Sequence, residues 1–147
     1  MAALGLQTLL PTFQPALGLL NLPFVAALNL MLWCRSAVSM MLLGALIGCA
    51  NDGLTRGPVG LQGIVYTICG CLVAEIGPYL RRDHPLVLAF FFALAYIAHE
   101  FLFNVTRTLL VRASEIPDLT LGFALMAVHA SAGLLVFTML SKVAGKP

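Results

Sequence analysis

Three long apolar runs, residues 58–80, 85–111 and 118–141, set the strongest constraint on how this chain can fold. A helix needs roughly 20 apolar residues to cross a bilayer, and each run is long enough. Each also begins at or near a proline, Pro58, Pro85 or Pro117. Proline suits a first helical turn, where its missing N–H has no partner to lose. The composition agrees, with 61% hydrophobic and 10% charged residues and a mean hydropathy of +0.99. Soluble domains hold about 45–50% apolar and about 25% charged residues, so lipid rather than water is the expected solvent. The 147 residues leave room for about five or six spans in a single transmembrane domain over residues 1–147, with no sizeable domain outside the bilayer. That excludes a soluble enzyme, a nucleic-acid binder with a basic face, a disordered tail and a single-pass receptor.

The rest of the chain divides less cleanly. Residues 2–20 are apolar but carry Pro11 and Pro15, which predicts a kinked, broken or incomplete first segment. Residues 22–34 form a short run stopped by Arg35, and residues 36–50 form another that ends at Asn51-Asp52-Gly53. The start lacks the basic n-region of a cleaved signal peptide, so it is expected to belong to the mature fold. The fold class that follows is an all-α integral membrane bundle of five to six transmembrane helices. With six spans, one side of the membrane receives Arg35, Arg81, Arg82, Lys142 and Lys146, and the other Arg56 and Arg112, with Arg107 near a helix end. Because Lys and Arg favour the cytoplasmic side, both termini are expected there. Cys34, Cys49, Cys69 and Cys71 lie in apolar stretches without CxxC spacing and read as small packing residues.

Helices in lipid gain little from burying apolar surface against one another, so close contact depends on small residues and interhelical hydrogen bonds. Gly63, Thr67, Gly70, Ala74 and Gly77 make one stripe along the 58–80 run. Gly44 and Gly48 form a GxxxG pair that Asp52 extends, and Thr120, Ala124, Ala127 and Ser131 repeat the pattern in the last run. These stripes predict seams within the bundle, the alternative being a seam for another protein. The glycines of residues 51–63 are not a phosphate loop, since neither a GKS/GKT signature nor a preceding strand accompanies them.

Ionisable residues inside a span are costly and invite a functional hypothesis. His99 and Glu100 fall about halfway along the 85–111 run, and Glu100, Asn104 and Arg107 share a face there. Arg107 can snorkel to the interface as an anchor. For Glu100 the expectation is a structural hydrogen bond to a neighbouring helix, with His129 as partner, against a proton or cation site. Glu75 is expected to pair with Arg81 or Arg82, and Asp52 to serve as a cap, a turn residue or a surface ion pair. No catalytic triad, carboxylate pair or metal-ligand spacing emerges, so neither an enzyme nor a metal or other cofactor is expected.

Residues 44–70, GALIGCANDGLTRGPVGLQGIVYTICG, resemble the MreD family of bacterial cell-elongation proteins. The likeness rests on Gly44 and Gly48, Asp52 four residues later, the Pro58-x-Gly60 turn, and Gly70. It extends more loosely to LGLQTLLP, NLPFVAALNLMLW and LRRDHPLVLAFFFAL, and so over roughly the whole chain. The resemblance implies a bundle similar to the substrate-binding subunits of energy-coupling-factor transporters. It also implies a multi-pass scaffold in the bacterial inner membrane that binds MreC and works beside RodA, a class B penicillin-binding protein, RodZ and MreB. A full first helix belongs to that pattern, and the ten residues before Pro11 fall short of it. His99 and Glu100 match no motif of the family. The rival expectation is a small-solute-binding transporter subunit with a pocket lined by Asn104, His99, Glu100 and His129.

Overall fold

A computed structural model of the chain describes residues 21–55, 58–80, 84–111 and 119–144. The first apolar segment, Arg56, the Arg81-Arg82-Asp83 part of the charged turn, Arg112, Pro117 and Lys146 lie outside them. The described residues form five α-helices: α1 (Leu22–Trp33), α2 (Ala37–Thr55), α3 (Leu61–Ile76), α4 (Pro85–Val111) and α5 (Leu119–Ala144). A 3₁₀ turn, Gly77–Tyr79, extends α3. Four stretches, Ala37–Thr55, Leu61–Tyr79, Pro85–Leu110 and Gly122–Val143, are long and apolar enough to cross a membrane.

The helix boundaries follow the apolar runs with two corrections. Asn51-Asp52-Gly53 does not end α2, which continues to Thr55 while the Thr55 hydroxyl donates to the Asn51 carbonyl at 2.9 Å. Pro58 does not open α3; its carbonyl accepts from Leu61 N at 3.2 Å, and the helix starts only after Gly60. Pro85 is the first residue of α4, as its position in the sequence predicts.

With 12 residues, α1 is about 18 Å long, well short of a bilayer core of about 30 Å. Even so, it is the most enclosed element. Phe24, Val25, Ala27, Leu28, Met31 and Leu32 are all buried, and within the helix only Leu30 is exposed. A helix that is apolar all round belongs in an interior, and α1 packs against α2, α3 and α5. The most extensive pairing is between α2 and α3, with α4 bridging α3 to α5. Outward rows such as Val38, Leu42 and Leu46 on α2, and Phe90, Leu94, Ile97 and Phe101 on α4, are exposed, which is the surface lipid chains require.

Two of the three small-residue stripes lie at seams. A Cβ on Gly44 would strike the Tyr66 carbonyl, and one on Gly48 would strike the Gln62 carbonyl and lie 2.7 Å from Gly63 Cα. From the other side, a Cβ on Gly63 would come within 2.7 Å of Cys49 Sγ and one on Gly70 within 2.7 Å of the Met40 carbonyl. The α3 stripe runs out at Gly77, where a Cβ meets nothing within 4 Å. The α5 stripe is a correction, because Ala124, Ala127 and Ser131 are exposed. The inward face of α5 instead carries His129, Gly133 and Phe137, and a Cβ on Gly133 would fall 2.6 Å from the Phe92 ring. This bulky ring supplies the contact that the small residues were expected to make.

Candidate functional site

The motif residues Gly44, Gly48, Asp52, Pro58, Gly60 and Gly70 all fall within the α2–α3 hairpin. Gly60, at the N-cap of α3, has no side chain with which to cap the helix and adopts φ +97°, a conformation that glycine accepts without steric cost. Asp52 supplies the missing acceptor from the preceding helix. Its Oδ2 accepts from Gly60 N at 2.8 Å, and both carboxylate oxygens lie 3.1 Å from Gln62 N. The positive end of the α3 dipole favours this carboxylate. Asp52 is only 2% exposed, so it is neither a surface ion pair nor the cap of its own helix. It locks the start of α3 to the end of α2.

Gln62 carries the network from the hairpin to α4. Its Oε1 lies 3.2 Å from His99 Nε2, and the His99 ring is packed against Phe24, with centroids 4.2 Å apart, and edge-on to Tyr66 at 5.6 Å. His99 is 2% exposed. Its Nδ1 stands 3.4 Å from Glu100 Oε1, within ion-pair range but without hydrogen-bond geometry. The Glu100 side chain is 44% exposed at the flank of α4.

A second branch closes the buried start of α1. The first N–H groups of a helix have no partner within it, and inside a bilayer water cannot stand in. Asn21 Oδ1 accepts from Phe24 N at 3.2 Å and from the Tyr66 hydroxyl at 2.9 Å, while Pro23 has no N–H to satisfy. Asn21 N donates to His129 Nε2 at 2.9 Å, and His129 Nδ1 lies 2.7 Å from the Leu125 carbonyl. A carbonyl only accepts and a backbone N–H only donates, so the proton of this imidazole sits on Nδ1. Tyr96 stacks on the ring with centroids 4.3 Å apart.

The expected intramembrane residues are therefore only partly brought together. His99 and His129 are buried in one polar cluster, but His129 bonds Asn21 rather than Glu100, because its ring is already committed at both nitrogens. Asn104 turns back on its own helix and donates to the Glu100 carbonyl at 2.8 Å. Glu75 is exposed, and its expected partners Arg81 and Arg82 lie outside the described residues. Among the described residues no group of three or more His, Cys, Asp or Glu could hold a metal ion. The four cysteines are free.

Sequence reasoning missed Asn21, Gln62 and Tyr66. The signal for Asn21 was present: an Asn followed two residues later by Pro, ahead of an apolar run, marks a helix start. Gln62 was the polar residue left over in an otherwise apolar first turn. Cavities among the described residues lie elsewhere. One of about 670 Å³ opens between the α1–α2 turn and the end of α3, and one of about 50 Å³ lies among Leu28, Cys69, Val73 and Phe91. Neither is lined by His99, Glu100, Asn104 or His129.

Taken together, these features define an all-helical bundle with the build of a multi-pass membrane protein, held by a glycine seam and a buried polar cluster. No family model, curated protein or solved structure matches the chain.

Proposed function

We propose that this protein is a non-catalytic scaffold subunit of the bacterial rod-shape and peptidoglycan elongation machinery, seated in the inner membrane with both termini cytoplasmic. Its partner would be MreC, with RodA, a class B penicillin-binding protein, RodZ and MreB in the same assembly. The reading rests on the resemblance of residues 44–70. One structural observation supports it: the residues that carry the likeness have a joint physical task, since Gly44, Gly48 and Gly70 permit backbone contact and Asp52 caps the helix entered through Gly60. A rigid hairpin of this kind can present a fixed outer face to a partner helix without a reaction centre. Co-purification with MreC from mild detergent, together with loss of rod shape on deletion, is the expected outcome. Failure to retain MreC combined with normal cell shape sinks the proposal.

A second reading is a small-solute-binding subunit of an energy-coupling-factor type transporter. The buried, unbonded Nδ1 of His99 beside Glu100 favours it. That reading requires a small molecule to co-purify and Glu100→Gln to abolish its retention, whereas the scaffold requires neither.

A further inference from the structure

We propose that the cavity between the α1–α2 turn and the end of α3 binds an anionic phospholipid, with its phosphate at Arg35 and the first turn of α2 and its acyl chains along the apolar wall. The inference depends on a membrane location but not on MreC or on any elongation complex.

The cavity has a volume of about 670 Å³, within the range of roughly 300–1,000 Å³ typical of small-molecule sites. Its lining has two chemical ends. Leu32, Met40, Val73 and Ala74 make an apolar wall, while Trp33 and Arg35 stand at the turn where α1 stops. Among the described residues no acidic one lines it. Arg35 is exposed and makes no hydrogen bond or ion pair among the described residues.

The start of α2 adds donors at the same place. Ser36 Oγ accepts from Ser39 N at 3.1 Å and the Ser36 carbonyl accepts from Met40 N at 3.1 Å. The N–H groups of Ala37 and Val38 have no partner among the described residues, and Ala37 lines the cavity. Free N–H groups at a helix start and a neighbouring guanidinium are a recurring way to hold phosphate. Trp33, which also lines the cavity, has its Nε1 buried without an acceptor.

The apolar wall separates a lipid from a free phosphate. A soluble anion would use the basic end alone, whereas a phospholipid would also cover the exposed Ala37 and Pro78 and the half-buried Ala74 of the lining, above a floor of Leu32, Met40 and Val73. Basic pockets between membrane helices near the headgroup level are the surroundings in which acidic lipid headgroups bind.

Trp33 is the only tryptophan in the chain, so its fluorescence reports directly on this cavity. The full-length protein, delipidated in detergent, is titrated with phosphatidylglycerol or phosphatidylcholine carrying brominated acyl chains, which quench indole on contact. The expected result is half-maximal quenching at about five-fold less phosphatidylglycerol than phosphatidylcholine, in line with the contribution of one basic residue near an anionic surface. Arg35→Gln should bring the ratio close to one, and Lys142→Gln, which removes the same charge at the end of α5, should leave it unchanged. Circular dichroism and size-exclusion profiles check that both variants fold. Equal quenching by the two lipids overturns the proposal, as does a preference that survives Arg35→Gln or is lost equally with Lys142→Gln. Displacement of brominated phosphatidylglycerol by millimolar glycerol phosphate as readily as by unlabelled lipid would overturn the lipid assignment in favour of a phosphate site.

Discussion

Asp52 can be altered in ways that separate its role as an acceptor from its charge. Asp52→Ala leaves the half-buried N–H groups of Gly60 and Gln62 without their acceptor, and because a fully buried unsatisfied donor costs about 1–3 kcal/mol, the loss should lie at the low end of that range. The midpoint of thermal unfolding in detergent should fall accordingly, and Asp52→Asn, which retains one acceptor oxygen, should lose less. A midpoint unchanged in Asp52→Ala would show that the contact does not hold the hairpin. Tyr66→Phe is a milder test, because Asn21 Oδ1 keeps its bond from Phe24 N when the hydroxyl is removed. The expected cost is about 0.5–1.5 kcal/mol, read on the same unfolding curve, and a loss well above that range would mean that the Tyr66 hydroxyl does more than complete the α1 cap.

Between elements, the α2–α3 seam makes a sharper prediction than any single bond. At Gly48 an added Cβ meets the Gln62 backbone and cannot be relieved by a rotamer change, whereas at Gly53 it meets nothing within 4 Å. Gly48→Ala should therefore destabilise by about 1–3 kcal/mol, as other overpacked contacts do. Gly53→Ala should be neutral or stabilise by up to about 1 kcal/mol, because glycine inside a helix carries an entropic penalty. Equal unfolding midpoints for the two variants would mean that the helices do not approach as closely as described. The α5 stripe of Ala124, Ala127 and Ser131 offers a contrast, since leucines there should be tolerated on an exposed face.

Across the whole molecule, the proposed orientation puts the α1–α2 turn and the α2–α3 turn on opposite sides of the membrane. In a variant lacking the native cysteines, Val59→Cys should react with a membrane-impermeant maleimide added to spheroplasts, and Ser36→Cys should react only after permeabilisation. The reverse pattern would invert the topology and place the Arg35 end outside. Much of this architecture was legible beforehand: the 85–111 run is the observed α4, and Gly44, Gly48, Gly63 and Gly70 do meet the facing helix across one seam. The central place of α1 was not legible. A 12-residue helix looks like a minor element in a hydropathy reading, yet it is enclosed by α2, α3 and α5. The partner of His129 was equally hidden, because helical periodicity gives depth and face but not the neighbour across the gap. A capping role was among the expectations for Asp52, while its target, the start of the next helix, depended on the tertiary structure.

The amino-acid sequence by itself determined that the chain is helical and suited to lipid, because long apolar runs in a bilayer must satisfy their backbone groups internally. It also determined where close approach is possible, by placing glycine at Gly44, Gly48, Gly63 and Gly70. Only the tertiary structure decided which apolar faces turn inward, since lipid chains and a helical core are about equally apolar and composition does not distinguish them. It likewise decided that the polar residues serve backbone ends: Asn21, Tyr66 and His129 surround the start of α1, and Asp52 closes α3, because the first N–H groups of a helix have no partner within it.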